Sequence, residues 1–176
     1  QLRRAQMLVF FSRLPPCLIG MEACGGAHHW ARELSKLGHE VRLIPPSYVK
    51  PFVRRGKTDS ADAEAICTAV VQPSMRFVPV KTPEQQAVLM QHRVRDFLVR
   101  QQTQLANAIR AHLGEFGIVV AKGVHHIGKL LGEAAGAALP EPVITSLDLL
   151  ARQFMDTQAS IDEVTRQIRE AAARNE

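Results

Sequence analysis

The run Arg54-Arg55-Gly56-Lys57-Thr58-Asp59-Ser60-Ala61-Asp62-Ala63-Glu64-Ala65-Ile66 sets three cations directly before two carboxylates. Thr58 and Ser60 suit a helix start, and the residues from Ala61 to Val71 favour helix, so Asp59 and Asp62 stand at i and i+3 and point the same way. A carboxylate pair fringed by Arg and Lys suits metal-dependent chemistry on phosphodiesters. The same two acids also suit the positive end of a helix macrodipole. Glu64 lies two positions beyond Asp62, on another face, and is set apart from the pair. A third acid comes from elsewhere in the chain. Cys17-Leu18-Ile19-Gly20-Met21 reads as a short buried strand, and Glu22 follows at its C-terminal end, where open α/β sheets place ligand-handling groups. Glu22, Asp59 and Asp62 together would offer three hard oxygen ligands, a set suited to Mg²⁺.

Cations and aromatics precede the acids. Tyr48, the only tyrosine, is interleaved with Lys50, Phe52, Arg54, Arg55 and Lys57. Such a segment can stack on bases and pair with phosphates, although Phe52 reads better as a core anchor. The charge distribution agrees. The 176 residues carry a formal charge of +5, and residues 1–57 hold ten Lys or Arg against three acids, whereas residues 114–176 hold six against nine. The basic face therefore belongs to the first part, as expected of a part that meets nucleic acid.

Cys17, Cys24 and Cys67 have neither even number nor paired spacing, which argues against a disulfide framework or zinc knuckle and for a reduced, cytoplasmic setting. His28 and His29 beside Cys24 lack a second ligand pair, and a structural or substrate-contacting role is expected of them. No apolar run reaches spanning length, so no membrane partner is expected.

The elements that must position these residues alternate. Gln1 to Leu14 reads as an amphipathic helix, followed by the strand before Glu22, a Gly25-Gly26 turn, a helix from Ala27 to Leu37 ended by Gly38, and a strand from Glu40 to Ile44. Strand, helix and strand in that order predict parallel pairing in an α/β layer. Arg76 to Val80 reads as an edge strand, because Pro79 would spoil a central one. Beyond it the character changes. Thr82-Pro83-Glu84-Gln85 supplies a capping box and a Pro at the first helical position, and nothing breaks the helix before Gly114. A second long helix starts near Pro142, where Leu147, Phe154, Ile161 and Ile168 recur every seven residues beside Leu150, Thr157, Val164 and Ala171. Two long helices joined by the weakly patterned stretch Gly114–Pro140 predict an antiparallel coiled-coil arm. Arg93, Arg100 and Asn107 share one face of its first helix, as solvated charge or as a contact for RNA.

Met21-Glu22-Ala23-Cys24-Gly25-Gly26-Ala27-His28-His29-Trp30-Ala31-Arg32, then Gly38-His39-Glu40-Val41-Arg42-Leu43-Ile44-Pro45-Pro46, then Lys57-Thr58-Asp59-Ser60-Ala61-Asp62-Ala63 resemble, in order and spacing, the DEDD-type insertion-sequence transposases that use a bridge RNA. The resemblance continues through Met75–Lys81 and Arg110–Gly117. It implies a partial RuvC-like (RNase H-like) domain over residues 1–80, lacking its first strands and the family's first Asp. It implies a helical coiled-coil arm over residues 81–176, without the C-terminal serine domain. It further implies Glu22, Asp59 and Asp62 as catalytic metal ligands with Mg²⁺ as cofactor, and DNA and a guide RNA as partners. The protein would be a nucleoid-associated bacterial homo-oligomer that carries out DNA strand cleavage and exchange, and this portion would be inactive alone. Two other readings of the same residues stay open. One is a nuclease akin to Holliday-junction resolvases, against which the missing acid and the arm both count; the other is a non-catalytic nucleic-acid-binding or oligomerisation remnant.

Overall fold

Two five-residue strands, β1 (Leu18–Glu22) and β2 (Glu40–Ile44), pair in parallel with Leu18 opposite Glu40 and Glu22 opposite Ile44. The computed structural model describes residues 3–53 and 58–174. The chain divides into two compact units, Gln1–Gln85 and Gln86–Glu176, each described by itself.

In the first unit a short 3-10 turn (Arg4–Gln6) leads into helix α1 (Met7–Phe11), which is shorter than the amphipathic pattern from Gln1 to Leu14 suggests. Leu8, Val9, Phe10 and Leu14 remain exposed, so that apolar face gains little packing within the unit to extend the helix. Buried His39 ties this segment down. Its Nδ1 accepts the Cys17 N–H at 3.2 Å, which leaves the ring proton on Nε2 to be donated to the Phe11 carbonyl at 3.0 Å.

Helix α2 (Ala27–Lys36) connects the strands, and Gly38, at φ +89°, turns the chain from α2 into β2. Strand alternation decides what each face carries. Leu43 packs with Ala27 and Ala31 of α2, with Met21, Val41, Val78 and Val80 around them. Ile44 packs on the opposite side with Val49 and with Ala65, Ala69 and Val70 of helix α4 (Asp59–Val70). The sheet thus lies between α2 and α4. Pro45 follows the end of β2, and helix α3 (Pro46–Val49) and a 3-10 turn (Lys50–Phe52) come next. Phe52 packs against the α4 core as an anchor.

The expected edge strand at Arg76–Val80 reduces to one antiparallel bridge. The Val78 N–H donates to the Leu43 carbonyl at 2.7 Å, and Pro79 then has no N–H with which to continue a ladder.

Helix α5 (Pro83–Gly114) starts in the expected capping box, with the Thr82 N–H on Gln85 Oε1 at 3.0 Å and the Gln85 N–H on Thr82 Oγ1 at 3.2 Å. In the second unit the long helix α7 (Glu141–Ala173) runs antiparallel to α5. Gln91 bonds Gln167, Arg95 bonds Thr165 and Gln102 bonds Gln158, so partners descend along one helix as they ascend along the other. Leu147, Phe154 and Ile161 of the heptad series are buried, and so is Thr157, whose hydroxyl is satisfied by the Gln153 carbonyl at 2.7 Å. The stretch Gly114–Pro140 is more ordered than its weak pattern indicates. It contains a 3-10 turn (Val124–His126) and helix α6 (Ile127–Ala135), whose Ile127, Leu130 and Ala134 join Ala106, Ile109, Leu113, Leu147 and Phe154 in one core. The spacing of those three α6 residues is the helical signal that the surrounding glycines obscured.

A Cβ added at Gly20 would lie 3.0 Å from both Ile66 Cγ2 and Val70 Cβ. Gly20→Val should therefore destabilise the first unit by about 1–3 kcal/mol through overpacking, measured by chemical denaturation, with Gly20→Ala between Val and the parent. Phe154→Ala should cost roughly 3–5 kcal/mol by opening a cavity between α5, α6 and α7, read as a lower denaturation midpoint.

Candidate active site

Glu22 closes β1, half-buried, and pairs with Ile44, which faces α4. Paired residues of parallel strands project to the same side, so Glu22 and Gly20, two positions apart, also project toward α4. At Gly20 the absent side chain lets α4 approach closely, with Ile66 and Val70 against the strand backbone.

The direction of α4 follows from its two ends. The Arg42 guanidinium reaches the Val70 carbonyl at 3.4 Å, level with Gly20 in the strand register, and also holds Glu40 at 2.6 Å. Ala65 packs instead with Ile44 and Val49, at and beyond the level of Glu22. Helix α4 therefore starts at the C-terminal edge of the sheet and runs back across it. Asp62 precedes Ile66 by four residues and Asp59 precedes it by seven, so both acids prolong the stripe that rests on Gly20. That stripe carries Asp59 and Asp62 past Gly20 toward the edge where Glu22 stands. Both Asp residues are exposed.

Thr58 fixes the start of this helix, its Oγ1 accepting the Ala61 N–H at 3.2 Å. Asp59 is then the first helical residue, where the unpaired N–H groups and the macrodipole favour negative charge. The donor chemistry of Glu22, Asp59 and Asp62 suits a hard divalent cation. Among the described residues, however, no group of three His, Cys, Asp or Glu side chains lies close enough together to hold a metal ion. Glu22 stands at the end of β1, and Asp59 and Asp62 stand in the first turn of α4.

Of the residues expected to bind nucleic acid, Tyr48 and Lys50 are exposed on α3 and the turn after it, with Tyr48 at 41%. Arg54, Arg55 and Lys57 lie outside the described residues. His28 and His29, considered beside Cys24, part company: His29 meets Trp30 edge to face, while His28 Nδ1 accepts the Lys81 N–H at 3.2 Å. Arg93, Arg100 and Asn107 are exposed in the second unit. Sequence reasoning missed Gly20 and Arg42. A glycine within a strand pattern was the available signal for the first; the second needed the register.

A family model described as a transposase, of the DEDD type, matches residues 5–118. The chain belongs to the DEDD-type insertion-sequence transposase family. A probable family 20 transposase of Pseudomonas aeruginosa is 51% identical over 172 residues, covering 96% of this chain and 51% of that protein. A putative transposase of Sinorhizobium fredii is 57% identical over 142 residues, covering 80% of this chain and 37% of that protein. A transposase for insertion sequence element IS1328 of Yersinia enterocolitica is 41% identical over 173 residues, covering 98% and 52% respectively. The chain thus spans about half the length, or less, of the curated relatives it matches. The DEDD family suggests use of a divalent metal. No helix among the described residues is long and apolar enough to cross a membrane.

Replacing Thr58 by Ala should cost about 1 kcal/mol through loss of the N-cap. The expected readout is faster amide exchange at Ala61 together with a lower melting temperature.

Proposed function

We propose that this chain is part of a transposase that cleaves and exchanges DNA strands to move an insertion sequence, guided by an RNA. Its first unit is read as part of a RuvC-like (RNase H-like) domain, and its second as an antiparallel coiled-coil arm, in a protein that assembles as a homo-oligomer. Glu22, Asp59 and Asp62 are the carboxylates this chain would contribute to binding a divalent ion, Mg²⁺, in an assembly where a further acid and a closer approach of Glu22 complete the set. The ion, when bound, would supply charge neutralisation at the phosphodiester. Lys50, Arg54, Arg55 and Lys57 would hold backbone phosphates, and Tyr48 would stack on a base.

The observation that carries this reading is the run of α4 across Gly20, which aligns Asp59 and Asp62 with the sheet edge that ends in Glu22. This portion is read as inactive in isolation. A non-catalytic nucleic-acid-binding role is the second reading, favoured by the separation of the three carboxylates.

Titration of the chain with Mg²⁺, followed by backbone amide shifts, separates the two. Weak saturable binding that perturbs Glu22, Asp59 and Asp62 together, and that Asp59→Asn abolishes, is expected of the carboxylate set. Salt-sensitive nucleic-acid binding with no Mg²⁺ response at these three residues would overturn the catalytic reading.

A further inference from the structure

Helix α5 meets α7 through Gln91, Arg95 and Gln102, which bond Gln167, Thr165 and Gln158. A second stripe runs beside that side of the helix. Met90, Arg93, Phe97 and Arg100 are spaced by three and four residues, so they follow one line along the helix surface. The stripe is open: Met90 is 66% exposed and Phe97 60%, and both arginines are exposed. Gln86, Met90, Arg93, Val94 and Phe97 line a groove of about 240 Å³ along it. Single exposed apolar residues are ordinary on a protein surface. An exposed ring with a cation one turn to either side has a ligand chemistry of its own.

The fold uses neither arginine. Among the described residues the ion pairs of this unit are those of Lys129 with Glu133 and of Arg166 with Glu163 and Glu170, and Arg93 and Arg100 make no hydrogen bond. The acids of α5 are Glu84 and Asp96, and both lie off the stripe. Asp96 directly precedes Phe97 and so stands about 100° round the helix from it, and Glu84 accepts from the Thr82 hydroxyl. Two copies of the chain paired along this stripe would gather their arginines with no carboxylate to answer them, and like charges brought together oppose association. The matching partner carries negative charge at intervals and flat apolar faces between the charges. A nucleic-acid strand has both.

We propose that this face of α5 holds a single-stranded stretch of nucleic acid, with Phe97 stacked on one base and Arg93 and Arg100 taking backbone phosphates to either side of it. The two arginines stand roughly 10.5 Å apart along the helix axis, which leaves the ring clear between them. An unpaired strand fits and a duplex does not, because Phe97 can reach the face of a base only where that base has left the stack of its neighbours. The site rests on the reading of the chain as a nucleic-acid-acting protein. It is built from residues of the second unit and shares none with the Tyr48–Lys57 segment.

Binding of the whole chain to a short oligouridine RNA, a short oligothymidine DNA and a blunt DNA duplex is measured by fluorescence anisotropy over a range of salt. Phe97→Leu keeps an apolar side chain and removes the ring. It should weaken single-strand binding by roughly 5- to 100-fold with little change in salt dependence, and should leave duplex binding as it is. Arg93→Gln combined with Arg100→Gln should lower the single-strand slope of log affinity against log salt by about 1.4, from two contacts at about 0.7 each. The altered side chains are exposed, so both variants should melt as the parent does. A loss on RNA, on DNA or on both single strands supports the site and names its occupant. Parent-like single-strand binding in either variant overturns it and leaves the broader reading in place. A parent chain that sediments as a dimer and becomes monomeric with Phe97→Leu also overturns it, because a second copy then covers the stripe. Failure of the parent to bind any of these nucleic acids overturns the site and the broader reading together.

Discussion

The close approach of α4 to the backbone of β1 at Gly20 governs the first unit. Ile66 and Val70 occupy the space that a side chain at that position would fill, and the rest of the α4 core, Ala65 and Ala69 with Ile44 and Val49, closes around this contact. Small residues on both sides of the interface let helix and sheet approach tightly, and tight packing resists the rotation or sliding that would redirect the first turn of α4. Because Asp59 and Asp62 lie on that same stripe, their direction follows from hydrophobic packing one and two turns away. The apolar part of the helix aims its polar end.

Arg42 complements this from the other end. Its guanidinium meets the Val70 carbonyl, holds Glu40, and lies 5.1 Å from the centre of the Phe77 ring. A cation at the last carbonyls of α4 opposes the negative end of the macrodipole, as Asp59 opposes the positive end. The helix that carries the two acids is thereby matched electrostatically at both termini, while Thr58 satisfies one of its first N–H groups. Acids in the first turn stabilise the start of the helix, and Asp59 and Asp62 there are exposed.

The second unit uses a different device. Its apolar core lies where α5, α6 and α7 meet, and away from that core α5 and α7 are linked by Gln102–Gln158, Arg95–Thr165 and Gln91–Gln167. Side-chain amides and hydroxyls specify partner and register more sharply than aliphatic groups, which tolerate sliding. Buried Thr157 follows the same logic, its hydroxyl turned back to its own helix.

Local signals in the chain determined much of this. Both strands, the span of α2, the start of α4 at Thr58, the capping box before α5 and the buried positions Leu147, Phe154 and Ile161 are all legible, because capping, alternation and heptad recurrence depend on neighbours a few residues apart. So is the family, through the order and spacing of the runs Met21–Arg32, Gly38–Pro46 and Lys57–Ala63. Tertiary structure alone decided the rest. The Arg76–Val80 segment became a single bridge because β2 could offer Val78 only one carbonyl before Pro79 ended the ladder. Helix α6 formed in a glycine-rich stretch because the ends of α5 and α7 gave its apolar residues somewhere to go. His28 met Lys81, fifty-three residues away, and no three metal-ligating side chains among the described residues close into a cage. Each of these depends on distances across the fold, and spacing along a chain carries no record of a distance through space.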